Sequence, residues 1–299
     1  MSAEPLEPEE NSAELAADAR AESLGNLALA GPAVLVVAST LLLPLLWLLA
    51  QSFIGNDGLT LAHYRDIFAG SDYFGYLGTT FELALSVTLI SLVLALPIAY
   101  AVSHMRPLYA RISMLLIVVS SLTSILVRTY AWLLLLQRRG LVNTWLQGLG
   151  LIDQPLTLVF NYTGVLVGMV HVLLPLMILP IYGSLLAIDR NLARAAGSLG
   201  ASPTRAFWTV TLPLAFPGIA AGCVMVSVLS LGFFLTPALL GGGKVGVWAT
   251  AIVSTVENNP AWGAASALGV FLLLVTLALL AVLKRMFGFA SLLRSGTAK

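Results

Sequence analysis

Along most of the chain, polar positions are too rare to form a repeat, and apolar runs of about twenty residues alternate with short polar connections. A helix needs about twenty apolar residues to cross the hydrocarbon core of a bilayer, and there every backbone polar group must find a partner within the structure. Six stretches meet this requirement: Leu27–Phe53, Thr79–Ser103, Ile112–Leu136, Thr163–Ala187, Pro213–Leu240 and Ala264–Leu283. The pattern predicts an all-α integral membrane protein of about six spans.

Composition supports the same solvent. The 299 residues are 59% hydrophobic and 10% charged, with mean hydropathy +0.94. A water-exposed domain carries about 25% charged residues, so this chain has too few to cover a soluble surface. No clustered basic face offers a site for nucleic acid. The stretch before the first span holds seven carboxylates against Arg20, for a net charge of −6. With little to bury, residues 1–27 read as a disordered tail, unlike a basic, cleavable signal. Residues 28–286 then form one membrane domain and 287–299 a short second tail.

Orientation follows the distribution of Lys and Arg. With both termini inside, the inner segments hold Arg20, Arg106, Arg111, Arg190, Arg194, Arg205, Lys284, Arg285, Arg294 and Lys299; the outer loops hold only Arg65, Arg138, Arg139 and Lys244. Both termini are therefore expected in the cytoplasm. The three outer connections are expected to form short surface helices, with Trp145, Trp248 and Trp262 at the interface.

The connection between spans four and five, residues 188–212, carries the most information. Leu192, Ala195, Ala196 and Leu199 recur at helical spacing. Gly200 stands where a left-handed residue would stop that helix. Ser202 followed by Pro203 reads as an N-cap and a first helical residue. Ala206, Phe207 and Val210 continue an apolar face up to Pro213. The expected product is an amphipathic hairpin suited to a groove on a cytoplasmic partner.

Its residues resemble the inner-loop signature of permeases from ATP-binding-cassette importers: Glu-Ala-Ala, three residues, Gly, nine residues, a branched apolar residue, one residue, Leu-Pro. Here the order is Arg194-Ala195-Ala196, three residues, Gly200, nine residues, Val210, Thr211, Leu212-Pro213, and only Arg194 departs. The resemblance spans roughly Leu45 to Leu283. It is greatest to the permeases for spermidine and putrescine, through Arg128-Thr-Tyr-Ala-Trp132, Gly140-Leu-Val-Asn143, Ile188-Asp189, Leu212–Gly218 and Phe233–Gly242.

The resemblance implies a type I importer permease fold in a bacterial inner membrane, surrounded by lipid. It implies an ATPase dimer coupled through Arg194, Ala195, Ala196, Gly200, Ala201, Ser202, Phe207, Leu212 and Pro213. A second permease of different sequence and a soluble substrate-binding protein complete the implied assembly. ATP is expected on the ATPase, with no cofactor on this chain. Gly241-Gly-Gly-Lys244 does not make a phosphate loop, since Ala238 and Val245 stand where Gly and Ser or Thr are required.

Ionisable residues inside spans are costly and mark functional candidates. Glu82 and Arg128 are the two here, with Tyr130, Trp132, Phe233 and Phe234 as aromatic candidates for holding an ammonium. Gly218 and Gly222 form a small-xxx-small pair suited to close helix contact, including contact with a second permease. Two other readings are an ion-gradient-driven transporter, which wants carboxylates near mid-membrane, and a non-transporting membrane scaffold or enzyme. The hairpin argues against both.

Overall fold

The computed structural model describes residues 31–55, 58–258 and 261–295. The acidic tail, the Asn259-Pro260 turn and the last four residues lie outside them. The first span is helix α1, Gly31–Gln51. Strands β1 (Ile54–Gly55) and β2 (Gly58–Leu59) pair antiparallel just beyond it, and α2 spans Ala62–Ala69. The second span is α3, Ser71–His104. At 1.5 Å per residue its 34 residues reach about 50 Å, so it projects well outside a hydrocarbon core of about 30 Å.

The third predicted span is not one straight helix. It is divided into α4, Pro107–Leu122, and α5, Ile125–Leu136, with a bend of 95° at the break. Thr123 and Ser124 both take extended conformations there. The carbonyls freed at the end of α4 are taken by side chains: Thr123 Oγ1 donates to Ser120 O at 2.7 Å, and Arg128 Nη2 reaches back to Ser121 O at 3.4 Å. Hydroxyls that satisfy the backbone locally make such a break tolerable in a membrane.

Helix α6 (Leu141–Gly148) follows, and α7, Tyr162–Leu186, is the fourth span. Asn161 caps α7, its Oδ1 accepting from Gly164 N at 2.9 Å. The hairpin comprises α8, Arg190–Ser198, and α9, Pro203–Ala206. A π-helical turn at Phe207–Thr211 joins α9 without interruption to α10, Leu212–Leu231. The fifth span thus stops at Leu231, short of the expected Leu240. Gly232 ends it, and α11, Leu235–Leu240, is a separate helix. Helix α12 covers Trp248–Asn258, and α13, Trp262–Ser295, carries the sixth span on past Leu283.

The core is built around α7, which packs on both α3 and α10. Leu83, Val87 and Ala99 of α3, Met169, Leu173, Met177 and Ile181 of α7, and Ala215 and Val226 of α10 are all buried in it. Gly218 and Gly222 let α10 approach α7 closely. A Cβ at Gly222 would stand 2.7 Å from Met177 Sδ, and one at Gly218 would collide with Pro180 O and Ser184. The small-residue pair therefore serves packing within this chain. A second core patch joins Ile67, Trp248 and Leu268. Trp248 is stacked on Phe271 at 4.8 Å and donates its indole N–H to Leu268 O, so it is buried and not an interfacial anchor; Trp145 and Trp262 are exposed as expected.

Candidate functional site

The 188–212 hairpin takes the form its residues prescribe. Asp189 caps α8 by accepting from Asn191 N at 2.9 Å. At the other end, Gly200 adopts φ +87°, Gly200 N donates to Gly197 O, and Ala201 N donates to Ala196 O at 3.0 Å. This pair of bonds is the Schellman closure of a helix, which needs a left-handed residue and selects glycine. Ser202 then caps α9, its Oγ accepting from Arg205 N at 3.3 Å. Helix α8 folds back onto the π-helical turn, and the two limbs form one projecting unit.

The unit exposes apolar surface at its tip. Leu199 is 89% exposed and Leu192 46%, with Trp208 exposed on the second limb. Arg194 is exposed, and its guanidinium makes a 3.5 Å contact with Asn191 Oδ1. Not every residue of the signature lies on the outer surface. Ala196 is half-buried, Leu212 packs against the core, and Phe207 turns inward to meet Tyr100 of α3 edge-on at 4.9 Å. Tyr100 in turn lies 4.3 Å from the ring of His104. Phe207 is thus a link between hairpin and α3, and Trp208 presents the aromatic surface. A bulky residue one place along an amphipathic helix was the available signal for Trp208.

The candidate path residues are not gathered in one place. Glu82 is exposed on α3 and does not pair with Arg128, whose Nε and Nη1 have no hydrogen-bond partner. Tyr130 is 47% exposed. Phe233 and Phe234 occupy the break between α10 and α11 and pack on the main core. Trp132 meets His171 of α7 edge-on at 5.6 Å. Arg128 is buried; at mid-membrane a lone guanidinium costs about 2.5–3.5 kcal/mol or more. Polar pairs join neighbouring helices: Thr129 to Thr236 at 3.2 Å between α5 and α11, and Thr88 to Ser227 at 3.0 Å between α3 and α10.

At the end of the spans opposite the hairpin, a cleft of about 490 Å³ opens beside α12. Phe234 and Tyr76 contribute its aromatic walls, Thr250 and Ser254 its hydroxyls, and Glu257 a carboxylate, with Lys244 at one side. Of these only Phe234 was among the expected path residues. Glu257 lies in a connection, where the rule that flags ionisable residues inside spans does not look. Among the described residues, no group of three His, Cys, Asp or Glu is placed to hold a metal.

Several long apolar helices, one of them bent, together with a projecting hairpin define a multi-pass membrane transport subunit. Residues 88–288 match the family described as "Binding-protein-dependent transport system inner membrane component", and the chain belongs to that family. It is 33% identical over 245 residues to the spermidine/putrescine transport system permease protein PotB of Haemophilus influenzae, covering 79% of this chain and 85% of that one. It is 32% identical over 275 residues to the inner membrane ABC transporter permease protein YdcU of Escherichia coli, covering 84% and 85%. Its fold is similar to that of a bacterial alginate ABC transporter in complex with an alginate pentasaccharide-bound periplasmic protein, with TM-score 0.73 and 19% identity over 90% of this chain and 95% of that one.

The protein is accordingly a permease subunit of an ATP-binding-cassette importer, a multi-pass protein of the inner membrane and not an enzyme. Family membership sets aside the ion-driven transporter and the scaffold.

Proposed function

We propose that this subunit imports a polyamine of the spermidine or putrescine type. In this reading an ATPase dimer binds the 188–212 hairpin, a second and different permease completes the pathway, and both termini lie in the cytoplasm. ATP is held by the ATPase and none by this chain. The observation that carries the coupling role is the Schellman-closed hairpin with exposed Leu192, Leu199 and Trp208, seated on a helix that runs unbroken from Pro203 into the fifth span. A rigid lever of this kind moves its span when its tip is moved. Arg194, Ala195, Gly200, Ala201 and Ser202 shape the tip and its turn, whereas Ala196, Phe207, Leu212 and Pro213 fix its attachment.

The solute assignment is supported by the names of the relatives and by the chemistry of the cleft beside α12. An ammonium group is held by a carboxylate together with aromatic faces, and Glu257, Tyr76 and Phe234 supply both. A soluble binding protein would release its solute at this end. Glu82, Tyr130, Trp132 and Phe233 do not line this cleft.

The test is isolation of the tagged chain from its own host in mild detergent, followed by reconstitution with the chains that accompany it and its binding protein. Recovery of an ATPase and a second permease, with ATP-dependent uptake of labelled putrescine or spermidine that falls on Glu257→Gln, is the expected result. A chain that purifies alone would refute the coupling role. An assembled complex that takes up neither solute would refute the polyamine assignment alone.

A further inference from the structure

Where α5 meets α7, three nitrogen atoms are buried and have no hydrogen-bond partner: Nε and Nη1 of Arg128 and Nδ1 of His171. Trp132, one turn beyond Arg128 on α5, sets its ring edge-on against that of His171 on α7 at 5.6 Å. The one hydrogen bond of the guanidinium, 3.4 Å to Ser121 O, is long and uses Nη2. A guanidinium carries five N–H donors, and an imidazole donates from Nδ1 in the tautomer that bears its proton there. Arg128 Nε and Nη1 are thus donors without an acceptor among the described residues, and His171 Nδ1 is unpaired on the facing helix.

The described part of the chain has no carboxylate to offer them. Asp66, Asp72, Glu82, Asp153, Asp189 and Glu257 are all exposed; Asp72 and Glu82 are the acids of the second span, with Asp72 in its first turn. An unpaired charge inside a membrane is costly, and such charges are found paired with each other or facing a cavity. Next to Arg128 in the chain, Val127 is 61% exposed, so that face of α5 is left uncovered, whereas Arg128 itself is 9% exposed.

We infer that Arg128 and His171 form a buried seat for a carboxylate supplied from outside this chain. Two sources share that chemistry: an acidic side chain of the second permease, and a carboxylate on the solute. The inference rests on the reading of the chain as one of two permeases. If the solute is a polyamine, the source is the second permease, because a bare guanidinium in the pathway would repel a cation and a paired one would not. Arg128 then neutralises and orients an acid that would otherwise bind the passing solute too tightly to release it.

The experiment uses the complete complex in lipid nanodiscs and proteoliposomes, with wild-type chain, Arg128→Met and Arg128→Lys. Recovery of the permease pair is measured together with uptake of putrescine and of 4-aminobutyrate, which has a carboxylate in place of one ammonium group. For a partner acid, Arg128→Met lowers recovery of the pair roughly tenfold or more, and neutralising one intramembrane acid of the second permease restores it. For a solute carboxylate, the pair assembles normally, 4-aminobutyrate uptake by wild type exceeds that of putrescine, and Arg128→Met raises KM for 4-aminobutyrate alone.

Unchanged assembly and unchanged uptake of both solutes in Arg128→Met would overturn the inference. So would a loss of assembly that no neutralisation in the second permease relieves. If Arg128→Met fails to insert, Arg128→Lys decides: its thermal destabilisation must be non-additive with neutralisation of a partner acid, and strict additivity for every such acid refutes the seat. Wild-type complex that ignores putrescine refutes the polyamine assignment and leaves the assembly arm intact.

Discussion

Helices α1 and α7 are nearly alike in hydropathy and opposite in surroundings. None of the best apolar window of α1 is buried, against 61% of that of α7. Val34, Leu41 and Trp47 of α1 are each more than 60% exposed, while Met169, Met177 and Ile181 of α7 are fully enclosed. In lipid an apolar side chain gains little by leaving the solvent for a neighbouring helix, so hydrophobicity alone does not bring spans together. Association depends on close packing and on polar pairs. Helix α7 supplies the means. Gly168 leaves space for Leu240 and Thr236, whose atoms would stand 2.6 and 2.8 Å from a Cβ there, and Met177 and Pro180 fit against the glycines of α10. Helix α1 has no comparable notch over its exposed length.

Substitutions break or sharpen this contrast. The largest effect is expected from Gly218→Leu, which forces a side chain into Pro180 and Ser184 and should cost about 3 kcal/mol through overpacking. Thermal unfolding of the purified subunit measures it, and a shift no larger than that of an α1 variant would refute the close approach of α10 to α7. Next comes Asn143→Ala. The Asn143 amide donates to Gln137 O and Leu156 O and accepts from Leu156 N, all within 3.0 Å, in a fully buried position. Its loss should cost about 2 kcal/mol and expose the 137–156 connection to protease.

Gly200→Val places a β-branched residue at φ +87° and should strain the hairpin by about 1–2 kcal/mol. Membrane insertion should be retained while uptake falls, and Gly200→Asn should recover most of it; equal uptake by all three would dissociate the turn from coupling. The smallest effect is expected from Leu41→Ala in α1, under about 0.5 kcal/mol in the isolated subunit. The same change measured in the assembled complex shows whether a partner covers that face, because a cost that emerges only there requires one.

The candidate sites were legible to unequal degrees. The hairpin was readable because Asp189, Gly200, Ser202 and Pro203 are local instructions: a cap, a left-handed stop, a second cap and a helix start, each satisfied by backbone atoms a few residues away. The inward turn of Phe207 was not readable, since its contact with Tyr100 crosses more than a hundred positions of sequence. Glu82 and Arg128 were singled out for the same reason, a charge within a span, yet one is exposed and the other buried. Cost alone identifies both, and only the neighbouring helices separate them. The breaks after Leu122 and Leu231 were missed because Thr123, Ser124 and Gly232 are tolerated inside membrane helices as readily as at their ends.

By itself the sequence determined the solvent, the places of the apolar stretches, and the shape of the inner hairpin. Each of these depends on residues close together in the chain, on run length, on charge spacing and on capping. The number of spans was not among them: the structure holds five helices long enough to span among the described residues, or six if the bent pair is one span. Tertiary structure alone decided which spans form the core, which apolar faces remain uncovered, and that Arg128 and His171, on neighbouring helices, hold buried nitrogens without a partner. Those outcomes depend on how notches and bulges of separate helices fit, and in a membrane that fit has no counterpart in hydropathy.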